Sequence, residues 1–115
     1  MGKTFEKKLA DEFVGKPCVI RSANAGVFIG IPTAITVKGG SGHLVATFEE
    51  VRRAWRWEVN QGISCSDMAR FGLKESGTRM NAAVKAVIGN ICEINVMDAD
   101  AFTAAMAFPV DSAGN

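Results

Sequence analysis

Arg52-Arg53-Ala54-Trp55-Arg56-Trp57 places three guanidinium groups and both tryptophans of the chain within six residues. Guanidinium binds phosphate or carboxylate through paired N–H groups, and an indole face stacks on a base. If residues 55–57 are extended, side chains alternate, so the two indoles share one face and Arg56 takes the other. Such a segment could hold a nucleotide-like anion. The same residues also fit a plainer reading, in which Trp55 and Trp57 belong to a core or a subunit interface. The arginines are then solvated or paired with Glu49, Glu50 and Glu58.

A second polar cluster is Arg21-Ser22-Ala23-Asn24-Ala25-Gly26-Val27. An arginine at a strand end next to a Ser/Asn/Gly turn offers a charge, hydroxyl and amide groups, and exposed backbone N–H. Turns of this kind can form anion-binding nests. A plain hairpin turn accounts for it equally well.

Other chemistry finds little to work with. The only histidine, His43, follows a glycine-rich loop and has no nearby acid in sequence. Nucleophilic catalysis needs a Ser or Cys with a base and an orienting group. Cys18, Cys65 and Cys92 are far apart and form no CxxC pair, whereas structural zinc sites use paired ligands. Each cysteine reads as a small core residue. Glu49/Glu50 and Asp98/Asp100 read as helix-start carboxylates rather than an acid/base pair. Gly26 and Gly30 are not followed by a phosphate-loop pattern. The expectation is a non-enzyme with no cofactor and no metal.

The elements around these segments follow from pattern. Phe5, Leu9 and Phe13 share a helical face, so residues 1–15 form a helical extension, with Thr4 as its cap and Gly15 as its end. Residues 17–23 and 27–37 read as strands joined by the Asn24-Ala25-Gly26 turn, with Pro32 marking an edge, bulge or break. Lys38–Gly42 is a loop, and a strand resumes at 43–46. Thr47-Phe48-Glu49-Glu50 has the pattern of a capping box and predicts one or two helical turns over 48–54. Residues 55–59 alternate as a strand, and 64–73 form a helix with Ser64 and Asp67 as capping candidates. Residues 78–87 fit helix and strand about equally. Residues 91–97 alternate as a strand, and Asp98 caps a last helix that Pro109 stops.

At 115 residues the chain is one domain's worth. The expected fold is α+β: a curved antiparallel sheet of about five strands with short helices. Residues 16–108 form that single domain, and 109–115 are a C-terminal tail. A net charge of +1 lacks the basic excess of most DNA binders. No apolar run approaches the roughly 20 residues that span a bilayer, and no secretory signal opens the chain. The protein is therefore expected in the cytoplasm, with reduced thiols, and as a homo-oligomer.

With its elements placed, the chain resembles an uncharacterised family of small phage and prophage proteins. Members carry R-x-x-S-A-G-V, then A-R-R-(aliphatic)-W-x-W, then S-(acid)-(aliphatic)-A-x-x-G-(aliphatic)-K, and a late E-I strand before a capped helix. Here these stand as Arg21–Val27, Val51–Trp57, Ser66–Lys74 and Ile91–Ile94 with Asp98–Ala101. Asn24 replaces the serine, Val51 replaces the alanine, and Arg56 adds a charge between the tryptophans. The resemblance implies a phage setting in a bacterial cytoplasm and carries no established activity. The functional expectation is an anti-defence protein that sequesters a nucleotide second messenger of cyclic oligonucleotide or ADP-ribose type. Arg21, Arg52 and Arg53 would neutralise phosphate, Trp55 or Trp57 would stack, Ser22 and Asn24 would read ribose or base edges, and Arg56 completes the ligand-binding set. The alternatives are an inhibitor or adaptor docking on a host defence protein, and a minor phage structural component.

Overall fold

The computed structural model describes residues 2–40 and 42–110. Its elements run in the order α1 (Gly2–Phe13), β1 (Cys18–Ser22), β2 (Gly26–Val37), β3 (Leu44–Arg56), α2 (Cys65–Phe71), β4 (Arg79–Met80), β5 (Val84–Val96) and α3 (Ala99–Met106), with a 3-10 turn at Glu75–Gly77. All strand pairings in the sheet are antiparallel, in the order β2-β1-β5-β3-β4. Strand β2 also pairs with β3, so four strands close on themselves. This is the expected α+β class, with the curvature carried to closure.

Closure needs bent strands, and the bends lie where the register slips. Shifts fall at Gly30, Pro32 and Ala34 against β3, and at Phe48–Val51 against β5. Gly30 sits at the crossing of β2 and β3. A Cβ there would come within 2.9 Å of the Glu50 carbonyl oxygen and 3.1 Å of the Phe48 ring, so only glycine lets the strands approach this closely.

The strands are apolar on both faces, and each face has its own core. Cys18, Ile20, Phe28, Ile35, Ala46, Phe48, Val51, Ile88 and Ile91 fill the inside. Val19, Val27, Ile29, Ala54 and Met80 point outward and pack with Cys65, Met68 and Ala69 of α2 and Ala105 of α3. Helix α1 docks by Leu9, which is buried, and by Phe13. Phe5 stays half exposed.

Two helix starts are capped as the sequence predicts. Ser64 and Asp67 form a capping box, with Asp67 accepting from the Ile63 and Ser64 amides. Those hydrogen bonds hold the Asp67 carboxyl below its usual pKa. Asp98 accepts from the Ala101 amide at the start of α3.

The predicted helix over 48–54 is absent: Thr47 to Arg53 run inside β3. Thr47 pairs with Ala34 on one side and Val87 on the other, and this two-sided pairing overrides a local cap signal. The strand predicted over 55–59 is the end of β3, which stops at Arg56; Val59 makes an isolated bridge to Leu73. Thr4 lies inside α1 rather than at its start. Residues 78–87 resolve as β4 and the beginning of β5. Ser41 and residues 111–115 of the predicted loop and tail lie outside the described residues.

Cys92 is exposed rather than a core residue. It falls where the β1–β5 register slips, opposite Arg21/Ser22. Cys18 is buried, and desolvation pushes its thiol up to about 11; burial raises Cys65 as well. We therefore expect native protein to react with one equivalent of an aromatic disulfide reagent, at Cys92, and all three thiols to react in urea. Fast labelling of Cys18 or Cys65 in native protein would contradict this burial pattern.

Candidate functional site

Register decides which of the two polar segments meet. Val27 pairs with Ala54 and Phe28 with Arg53, so the end of β3 lies against the turn that opens β2. The result is an open hollow of about 400 Å³ lined by Ala25, Gly26, Val27, Arg53, Ala54, Trp55 and Trp57. Segments some thirty residues apart in sequence thus form one place.

Arg53 is fixed over this hollow. Its guanidinium donates to the Ala25 carbonyl and its Cζ lies 5.2 Å from the centre of the Phe28 ring. The fork carries more donors than one carbonyl takes. Trp55 is 41 % exposed, while Trp57 is partly buried against the outer core. Gly26 has φ 103°, a left-handed value that favours glycine and brings bare backbone to the rim. Arg56 is exposed and stands directly opposite Arg79 of β4, which concentrates positive charge at this end of β3. Two of the acids closest in sequence pair with lysines: Glu58 with Lys74 at 3.1 Å, and Glu49 with Lys85 at 3.8 Å.

The other predicted site residues separate. Arg52 is 2 % exposed and points into the protein. Its Nε donates to Asn81 O at 2.7 Å, Nη1 to the carbonyls of Ala105, Met106 and Phe108 at 3.1, 3.3 and 2.7 Å, and Nη2 to Pro109 O at 3.2 Å. These include the last carbonyls of α3, which lie past the regular helical bonding, although Ala105 O also accepts from the Phe108 amide. Burial lowers the pKa of this guanidinium. Arg52 is thus a structural clamp and takes no part in the hollow.

Ser22 is likewise internal, at 3 % exposure. Its hydroxyl donates to Gly89 O at 2.8 Å and accepts from the Ala25 amide at 3.3 Å. Asn24 is exposed, and its side-chain oxygen accepts from the Asn90 amide group. These bonds pin the turn to β5 and so shape the rim. Arg21 is exposed on the sheet face of Val19 and Val27, opposite to the face that carries Arg53. It does not line this hollow.

A larger depression of about 620 Å³ lies between β2, β3 and α3, lined by Ile31, Thr33, Glu49, Glu50, Phe102 and Met106. Its lining holds two carboxylates and no basic residue, with Lys85 paired to Glu49. Among the described residues, no cluster of three or more His, Cys, Asp or Glu could hold a metal ion, and no helix is long and apolar enough to cross a membrane.

The sequence reading missed Phe28, which supports Arg53, and Arg79, which faces Arg56. Neither shows a signal without the strand register. The family model named Domain of unknown function (DUF6948) matches residues 15–105, and the chain belongs to that family. Helix α1 lies outside the matched region. Comparison with curated proteins and with solved structures finds no match.

Proposed function

We propose that this member of a family of unknown function is a non-enzymatic binding protein whose hollow beside the 24–26 turn takes a nucleotide-type anion. The observation that carries this reading is the union of Arg53, Trp55 and Trp57 with that turn in one open hollow. Arg53 would meet a phosphate, Trp55 would stack on a base, and Arg56 would add long-range attraction. In a bacterial cell carrying a phage or prophage, as the motif resemblance implies, such a protein would hold a nucleotide second messenger away from its host receptor.

The protein supplies its own reporter. It has two tryptophans and no tyrosine, and both tryptophans line the hollow. Intrinsic emission therefore comes from the site alone. We expect one class among cyclic di- and trinucleotides, ADP-ribose variants and mononucleotides to quench or shift this emission saturably and to raise Tm. Arg53→Ala should weaken that binding about 10-fold or more, the worth of a charge-assisted hydrogen bond. Trp55→Ala should remove roughly 1–3 kcal/mol of stacking. Flat titrations across the panel with folded protein would end the nucleotide reading. A host protein held through exposed Trp55 and Arg53 would then be the next to test, since tryptophan and arginine also anchor protein interfaces.

A further inference from the structure

The β2–β3 hairpin carries charge to the side of the 22–26 turn. At its tip the Lys38 amide donates to the His43 carbonyl at 2.8 Å, which continues the Val37–Leu44 pairing by one residue. Residues opposite one another on antiparallel strands send their side chains to the same side, so the Lys38 ammonium and the His43 imidazole stand together. Both residues are exposed. Strand β5 links this tip to the turn, because Ile91 pairs with Ser22 on one side and with Leu44 on the other. Two strand spacings, roughly 10 Å, separate the two.

A second open hollow of about 280 Å³ lies between tip and turn, with Ser22, Asn24, Lys38, His43 and Asn90 in its lining. Its base is held in place. The Ser22 hydroxyl donates to Gly89 O at 2.8 Å, and the Ala23 amide donates to Asn90 O at 3.0 Å. Asn24 accepts from Asn90 through its side-chain oxygen, so what its side chain can offer a ligand is N–H. The lining thus combines an ammonium, an imidazole and amide donors, and it contains no carboxylate. Those groups suit an anion. Ala25 lines this hollow and also the one beside Arg53 and Trp55, which has no carboxylate either. The two hollows therefore adjoin across one residue.

Granted the nucleotide reading of the Trp55 hollow, on which this rests, we infer that the Lys38–His43 hollow takes a second phosphate of the same ligand. That makes the ligand a cyclic oligonucleotide, whose phosphates are held apart by a sugar. A mononucleotide with a single phosphate leaves one hollow empty. The two phosphates of ADP-ribose share a bridging oxygen and sit together, whereas Arg53 and Lys38 line different hollows. At about 400 and 280 Å³, each hollow is at the small end for a small-molecule site, as one part of a divided site should be.

Each hollow has its own reporter. Tryptophan emission reads the first, and the C2 proton resonance of His43, the only histidine of the chain, reads the second. The full chain is titrated with cyclic di-AMP, cyclic di-GMP, cyclic tri-AMP, AMP, GMP and ADP-ribose. One cyclic member should move both reporters with a single Kd, at least about 10-fold below that of AMP, GMP or ADP-ribose, the gain from one further charge-assisted bond. Lys38→Gln removes the charge at an exposed position and should raise that Kd about 10-fold with unchanged circular dichroism; Lys38→Met serves if that variant misfolds. A ligand that moves tryptophan emission and leaves His43 still would overturn the second phosphate site and keep the nucleotide reading. Equal affinity for AMP, GMP or ADP-ribose would do the same, as would a folded Lys38 variant that binds as wild type does. If neither reporter moves with any member, both readings fall.

Discussion

Arg52→Met lowers the unfolding free energy by about 3 kcal/mol or more, although the new side chain is apolar and nearly as long. The reason is what it leaves behind. Five carbonyls, of Asn81, Ala105, Met106, Phe108 and Pro109, lose the guanidinium as a donor, and of these Ala105 still accepts from the Phe108 amide. A buried acceptor without a partner costs roughly 1–3 kcal/mol, and water entering the gap recovers part of that. Because a small domain has only about 5–15 kcal/mol in hand, Tm should fall by roughly 10–20 °C. Arg52→Lys should lie between, since one ammonium cannot reproduce a fork that serves two directions. Urea unfolding followed by circular dichroism reads the effect. If Arg52→Met instead left stability unchanged and abolished nucleotide binding, Arg52 would be a ligand group and the clamp assignment would be wrong.

The neighbouring arginines show how far the sequence could be read. Arg52 and Arg53 look alike in a string, and both were expected at the ligand. Strand alternation sends them to opposite faces, one into the outer core beside α3 and one over Phe28. That outcome depends on residues 47–53 being strand, where the local signal says helix. A capping box is a short-range pattern, and here it loses to partners at Ala34 and Val87. Signals whose partners are near in sequence survived: the Ser64/Asp67 box, the Asp98 cap, and the turn at 24–26. The site followed the same rule. Both polar segments stood out by composition, while their union rests on Val27 lying opposite Ala54. Nothing in either segment encodes that pairing alone.

Phe48 tests the same point from the inside of the barrel. It is the largest fully buried side chain, with no exposed surface, and it packs in the inner core between β2 and β5, its paired neighbours being Pro32 and Ala86. Phe48→Ala should cost about 3–5 kcal/mol, combining lost transfer energy with a cavity that closed strands cannot collapse. A residue in the first turn of a short surface helix would lose far less on the same change, within the small range typical of surface sites. The effect should also reach the hollow. Phe48 supports the stretch of β3 that leads into Arg53, and the Phe28 ring under Arg53 belongs to the same core. At temperatures where Phe48→Ala remains folded, tryptophan emission should therefore shift even though residue 48 does not line the hollow. Stability near wild type, with emission unchanged, would mean that this core does not carry the load that its burial indicates. The hollow would then have to be positioned by the turn bonds of Ser22 and Asn24 alone.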